Sequence, residues 1–434
     1  MSKPPQNLIN STLTQNRAYN GYGELTSLSD NTFGYELSYN TLGEISQKVE
    51  RMNHQSSTYD YSYDNMGRLS EVKKDGVIVE AYTYDNNGNR ASATIHNETT
   101  NGYYTLDDQI VTYGNNTYQY NDDGYLQSKV TPNGTTTYQY GAFGELQRVV
   151  TPTKTIEYLH NANNQRVAKK VDGVIVEKYL WANLTTLLAI YDKDDNLVQR
   201  FEYADQRMPI AMMQNNQKYY LHYDQVGSLR AVSDTTGTII KEVVYDTFGN
   251  ILTDSNEAFR VPFGFAGGLY DNDTKLTRFG YRDYDAYTGK WTAKDPIGFS
   301  GGDSNLYGYV LGDPVNLIDP KGLCDDPLFG VDQEIMEPLY EYLEELFGDK
   351  PPSGAEKIAK GLYRDVPLAV QGLSRGLSRL SHLDRSKMKP LERGMYDYLY
   401  LGATTNMNTA ETINIMDKVN TYNIINELGD GKQK

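Results

Sequence analysis

Two hydrophobic patterns divide the chain. Up to about residue 323, short stretches such as TYDYSY (58–63) and GVIVEAYTY (76–84) alternate their side chains with period two, the signature of half-buried strands. Beyond that point the period lengthens. In DQEIMEPLYEYLEELFG (332–348) acidic residues are interleaved with Ile, Met, Leu, Tyr and Phe at helical spacing, and further on Val366, Val370, Leu373, Leu377 and Leu380 share one helical face. A last helix is expected within 407–428, capped by Asn408 or Thr409. The pattern predicts a mainly β region followed by a small, mostly α-helical C-terminal domain.

A repeated punctuation breaks the alternating tract. The motif Tyr-Asp/Asn-x-x-Gly-x-Leu/Ile/Arg recurs as YNGYGEL (19–25), YNTLGEI (39–45), YDNMGRL (63–69), YDNNGNR (84–90), YNDDGYL (120–126), YGAFGEL (140–146) and YDTFGNI (245–251). Degenerate copies stand at HNANNQR (160–166) and YDQVGSL (223–229). The Asp or Asn caps a turn through its own side chain, Gly supplies positive φ, and the apolar residue two places on resumes the strand. Each copy predicts one β-hairpin. A lone hairpin is marginal in water, so neighbours must stack to bury their faces.

Composition sharpens this picture. Of 434 residues 38 are Tyr, against 11 Phe and 2 Trp, which suits pleated surfaces that bury a ring and leave a hydroxyl wet. The net charge of −16 argues against a nucleic-acid-binding role for the molecule as a whole. A single cysteine, Cys324, excludes an internal disulfide framework and a four-cysteine zinc site, and no cofactor is expected. The start, MSKPPQNLINSTLTQ, has no basic region followed by an apolar core, so no signal peptide is expected. No apolar run is long enough for a membrane-spanning helix, so no integral membrane segment is expected.

With the repeats in hand, the tract from about 19 to 323 resembles the Rhs/YD-repeat family, which includes bacterial Rhs toxins, the C components of insecticidal toxin complexes and the teneurins. The resemblance implies that YD-repeat β-hairpins form a spiralling β-sheet shell. The number of copies here is small for such a shell, so a partial shell is one expectation. The run RFGYRDYDAYTGKWTAKDPIGFSGGDSNLYGYVLGDPVNLIDPKGL (278–323) resembles the segment that closes the Rhs core in polymorphic toxins. The organisation expected is 1–277 repeat shell, 278–323 core-closing autoprotease segment and 324–434 variable C-terminal effector.

In several members that closing segment is an aspartyl autoprotease that cuts after the Leu of Asp-Pro-x-Gly-Leu. Carried onto this chain, the resemblance implies Asp295 and Asp319 as the carboxylate pair and Arg282 as their companion. The cut would fall between Leu323 and Cys324. The chemistry is self-consistent. Two adjacent carboxylates share a proton, so one acts as base toward water while the other donates. A guanidinium nearby holds and orients one of them. Each Asp precedes a Pro, which favours turns over helix. Two rivals remain at this point: Asp-Pro-x-Gly as a turn with no cleavage, and Cys324 attacking the Leu323 carbonyl by an N-to-S acyl shift. No activating histidine stands near in sequence, the five being His54, His96, His160, His222 and His382.

The residues after the border carry no comparable motif. His382, Asp384 and Arg385 are candidates for acid–base machinery of a nuclease, because His titrates near neutrality. By position, the resemblance implies a toxic effector neutralised by a cognate immunity protein. It would be made in the cytoplasm and exported by a dedicated machine such as type VI secretion, through a VgrG-like spike or adaptor, or be enclosed with a shell-completing partner. The target-cell molecule is not legible. A reading from another class is a non-catalytic scaffold whose tyrosines bind glycans or partners; a third is a displaced, partial gene copy.

Overall fold

The computed structural model describes residues 8–10, 13–53, 55–204 and 207–323. The expected helices of 324–434, with Cys324, His382, Asp384 and Arg385, lie outside the described residues. Among the described residues the chain is mainly β, in agreement with the expected fold class. A 24-strand antiparallel sheet runs from Asn16–Tyr19 to Ile251–Asp254, and its registered pairings join strands consecutive in the chain. No helix among the described residues is long and apolar enough to cross a membrane.

The motif makes the turn that composition predicts. In YDNMGRL, Gly67 N–H donates to the Asp64 carbonyl (3.0 Å), and Asp64 Oδ1 accepts from the N–H groups of Met66 (2.8 Å) and Arg68 (3.0 Å). Gly67 sits at φ 81°, a left-handed conformation in which a Cβ is strained. Where Gly is missing, Asn164 (φ 60°) and Asp108 (φ 63°) take its place, as the residues that best tolerate that region. The Asp108 turn, YTLDDQI (104–110), is a copy the motif search passes over. There the Thr105 hydroxyl does the work of the capping carboxylate, accepting from Asp107 and Gln109 N–H at 3.2 Å each.

The motif tyrosine differs from expectation. In several copies its hydroxyl is not left to water but donates to the backbone carbonyl that ends the preceding copy. Tyr39 donates to Leu25 (2.6 Å), Tyr63 to Ile45 (2.7 Å), Tyr84 to Leu69 (2.8 Å) and Tyr104 to Arg90 (2.8 Å). Trp181 plays the same part with its indole N–H on Arg166 (2.7 Å). These repeats are thereby clasped to the ones before them, at a site where the bulged turn leaves a carbonyl outside the ladder, whereas Tyr140 donates to the Thr292 carbonyl (3.5 Å) and the Tyr223 hydroxyl has no partner among the described residues.

Alternation places one face of most strands inside. Tyr118, Tyr138 and Tyr158, one repeat apart, pack with Leu126, Leu146, Val149 and Ile156. The sheet curls until inner faces distant in sequence meet: Asp30 with His222 (2.9 Å), Glu50 with Arg230 (2.7 Å) and Glu80 with Thr247 (N–H to Oε1, 3.1 Å). Residues 256–323 occupy the concavity. They form a four-stranded sheet (Leu269–Tyr270, Thr277–Phe279, Arg282–Asp285, Lys290–Trp291) around a buried aromatic cluster of Phe265, Phe279, Tyr284, Trp291 and Tyr309. This inner segment, or plug, is held from many directions. Asn316 accepts from Ile45 N–H (2.8 Å), Lys129 meets Asp285 (3.2 Å), Lys169 meets Asp271 (2.9 Å) and Gln199 donates to the Arg260 carbonyl (2.7 Å). Strands so far apart in the chain reach one short segment only because the sheet is curved.

Candidate active site

The plug brings Arg282, Asp295 and Asp319 together. Arg282 opens the third strand of the small sheet, with its guanidinium carbon 4.3 Å from the centre of the Trp291 ring. Nη2 lies 2.9 Å from Asp295 Oδ2 and 3.2 Å from Asp319 Oδ2, so one nitrogen serves both carboxylates. Nε donates to the Gly322 carbonyl (2.5 Å) and Nη1 to the Leu306 carbonyl (3.3 Å). All three side chains are buried.

Each aspartate is set by an Asp-Pro turn. Asp295 Oδ1 accepts from Ile297 N–H (2.9 Å), its carbonyl accepts from Gly298 N–H (3.0 Å), and its own N–H donates to the Leu306 carbonyl (2.9 Å). Asp319 Oδ1 accepts from Leu323 N–H (3.1 Å), and the Asp319 carbonyl accepts from Gly322 N–H (3.3 Å). The carboxylate of Asp319 is therefore tied directly to Leu323, the last described residue.

The Leu323 carbonyl faces the other aspartate. A Cβ placed on Gly301 would stand 2.7 Å from Leu323 O and 2.9 Å from Asp295 Oδ2, so both oxygens border one small space that glycine keeps open. A small polar cavity beside them is lined by Arg282, Asp295, Gly301, Asp303 and Asn305. Burial raises the Asp295 carboxyl above its usual value of 3.8; Arg282 and the Ile297 N–H pull it down without cancelling that rise, and Asp303 adds to it. A carboxyl of raised proton affinity near the Leu323 carbonyl, with a second carboxylate on the N–H of the preceding peptide, is suited to acid–base chemistry on the peptide that follows Leu323. Among the described residues no group of three or more His, Cys, Asp or Glu side chains is placed to hold a metal ion.

Four contributors escaped the sequence reading: Trp291, which carries the guanidinium; Gly301, which clears the space; Asp303; and Leu306, whose carbonyl meets both Arg282 and Asp295. All fall inside the 278–323 run, and the paired glycines before Asp303 are the one local signal of a close approach. His222, with Asp30 on one ring nitrogen and Ser233 on the other, belongs to the meeting of inner faces.

Residues 2–307 match the family model described as the teneurin YD-shell, well over half of the chain. The chain belongs to the Rhs/YD-repeat family. Among curated members it is 32% identical over 240 residues to teneurin-1 of Gallus gallus, covering 54% of this chain and 9% of that one. To teneurin-4 of Mus musculus it is 27% identical over 303 residues, 67% and 11% of the two chains. To the tRNA3(Ser)-specific nuclease WapA of Bacillus spizizenii it is 27% identical over 272 residues, 60% and 12% of the two chains. Among solved structures, the Photorhabdus luminescens Tc holotoxin pore is 17% identical with a TM-score of 0.33, covering 74% of this chain and 21% of that one. This YD-repeat chain spans about a tenth of the length of the curated relatives it matches.

Proposed function

We propose that this YD-repeat chain is a toxin shell of the Rhs type that cuts itself between Leu323 and Cys324 to free residues 324–434 as cargo. One observation carries the reading: a single arginine nitrogen joins two buried aspartates, one bonded to the Leu323 amide and the other beside the Leu323 carbonyl. Protonated Asp295 donates to the Leu323 carbonyl oxygen. Asp319, ion-paired to Arg282, takes a proton from water, whose oxygen adds to the Leu323 carbonyl carbon. Collapse of the adduct breaks the carbon–nitrogen bond: the Cys324 nitrogen takes the proton held on Asp319 and leaves as the amine, and Asp295 recovers its proton from the adduct hydroxyl as the Leu323 carboxyl forms. A cut made once needs no turnover, so slow chemistry in a crowded site suffices. A relative whose name describes a tRNA nuclease supports the toxin class. Export by type VI secretion, a VgrG-like adaptor and a cognate immunity protein complete the proposal.

The test is the intact mass under denaturing conditions of wild type, Asp295→Asn, Asp319→Asn and Cys324→Ala. Two fragments split after Leu323, restored to full length by either Asp change and not by Cys324→Ala, are expected. Loss of cutting in Cys324→Ala alone transfers the chemistry to the thiol. A single full-length wild-type mass makes the motif structural and brings the scaffold reading forward.

A further inference from the structure

A second cluster of buried charge lies on the plug away from Arg282. Arg166 of the shell and Arg278 of the plug converge on one carboxylate: Arg166 Nη2 is 3.0 Å from Asp283 Oδ1, and Arg278 Nη1 is 2.8 Å from Asp283 Oδ2. Both arginine side chains are 4% exposed and Asp283 is 2% exposed, so two desolvated cations answer one anion. Each guanidinium keeps an Nε–H with no partner among the described residues, as does the Asn164 side-chain amide. Buried donors are rarely left unmatched, and such a group calls for a water or an ion. His160, opposite Arg166 in the sheet, is also without a partner on either ring nitrogen. Burial first, then Arg166 and Arg278, lowers its pKa to about 3, so it adds no charge.

These groups adjoin a real opening. A cavity of ≈ 30 Å³ is lined by Arg166, Arg278 and Arg207, with Trp181, Thr185 and Phe279 among its other walls. That is more than the ~10–15 Å³ a single water requires. It is a cationic recess in a chain of net charge −16.

From this excess of desolvated guanidinium over carboxylate at an open cavity, we infer that the recess binds a small oxyanion, a carboxylate or phosphate group. A planar guanidinium offers its Nε–H and an Nη–H as a fork that matches two oxygens of such a group. Asp283 occupies one Nη of each arginine, and Nη2 of Arg278 makes two long contacts to Asn164 (O, 3.4 Å; Oδ1, 3.3 Å) that an incoming anion would replace. The recess shares no charged residue with the Arg282 site, although Pro320, next to Asp319, is among its walls.

The experiment is titration calorimetry on the whole chain with sodium acetate and with inorganic phosphate, at constant ionic strength set by chloride. Saturable binding of one equivalent is expected, weakened about tenfold or more by Arg278→Gln, which removes one fork. Thr185→Trp fills the mouth without touching an arginine, and it is expected to weaken binding equally. It serves as the decisive variant if Arg278→Gln fails to fold. Tighter binding of acetate assigns a carboxylate ligand and tighter binding of phosphate a phosphorylated one; either supports the site. Folded wild type with no saturable binding, binding that Thr185→Trp leaves unchanged, or equal competition by chloride overturns it.

Discussion

Asp64 in the shell and Asp295 in the plug start the same kind of turn and end with opposite proton affinities. Both side chains accept from the N–H two residues on, at 2.8 and 2.9 Å, and both carbonyls accept from the N–H three residues on, at 3.0 Å. At Asp64 burial raises the pKa, but the Arg68 side chain and two backbone N–H groups outweigh it, and the group stays below its usual value. At Asp295 burial prevails. The local chemistry of Asp-x-x-Gly is thus neutral as to function; depth under other elements converts a turn former into an acid.

The sharpest break of this comparison is to remove a plug aspartate that compensates cations. Asp283→Ala leaves Arg166 and Arg278 buried together, and a loss of about 3–5 kcal/mol is expected in denaturant unfolding. Next, Gly301→Ala puts a methyl between Leu323 and Asp295. Cleavage slowed roughly 100-fold is expected from a displacement of this kind, with an overpacking cost of about 1 kcal/mol or more in unfolding. A cleavage time course under denaturing mass analysis checks it.

The meeting of inner faces offers a pH test. Burial, then Asp246, raises the Glu80 carboxyl from 4.5 to about 7. A carboxyl raised in the fold contributes its stability fully below pH 4.5, and that contribution is lost as pH rises through about 7. Glu80→Gln is therefore expected to flatten the decline in unfolding midpoint between those pH values, while Asp64→Asn, whose pKa is lowered, leaves that decline in place.

Two glycines refine the contrast of depth. Gly88 (φ 82°) and Gly124 (φ 81°) hold the same motif position, but a Cβ on Gly88 meets open space, whereas one on Gly124 meets the plug hydroxyl of Tyr307 at 2.7 Å. Gly88→Ala is expected to cost about 1–2 kcal/mol for the left-handed backbone. Gly124→Ala adds an overpacking cost of about 1 kcal/mol or more, read from paired unfolding curves. The smallest effect falls on the outer face. Arg51 and Glu36 pair at 2.7 Å with both side chains about half exposed, and Arg51→Ala is expected to change stability by well under about 1 kcal/mol.

Much of the fold was legible because its rules are short. The turn needs Asp or Asn, Gly and a following apolar residue within one motif, and the period-two stretches between copies need nothing beyond themselves. The copy at 104–110 was missed because Thr105 replaces the carboxylate by a hydroxyl, which the motif does not allow. The clasp of tyrosines such as Tyr39, Tyr63 and Tyr84 on the preceding repeat left only the abundance of Tyr as its trace. For the candidate site, Arg282, Asp295 and Asp319 were named by resemblance, and their convergence on one nitrogen had no local sign. Trp291 and Gly301 matter through what they face, so nothing in their neighbours' identity marks them.

The sequence by itself determined where each hairpin turns, which residues cap it and which face of each strand is apolar, since these are settled by hydrogen bonds and alternation spanning a few residues. Only the tertiary structure decided which copies of the turn are covered. Met66 and Phe143 are 79% and 80% exposed, while Val226 and Phe248 at the same motif position are 4% and 2% exposed. The curl of the sheet lays plug residues over some turn tips and leaves others, such as Met66 and Phe143, bare. That same curl brings Arg166 to Asp283 and Lys169 to Asp271, more than a hundred residues apart, because desolvated charges are tolerated only where an opposite charge is delivered to them.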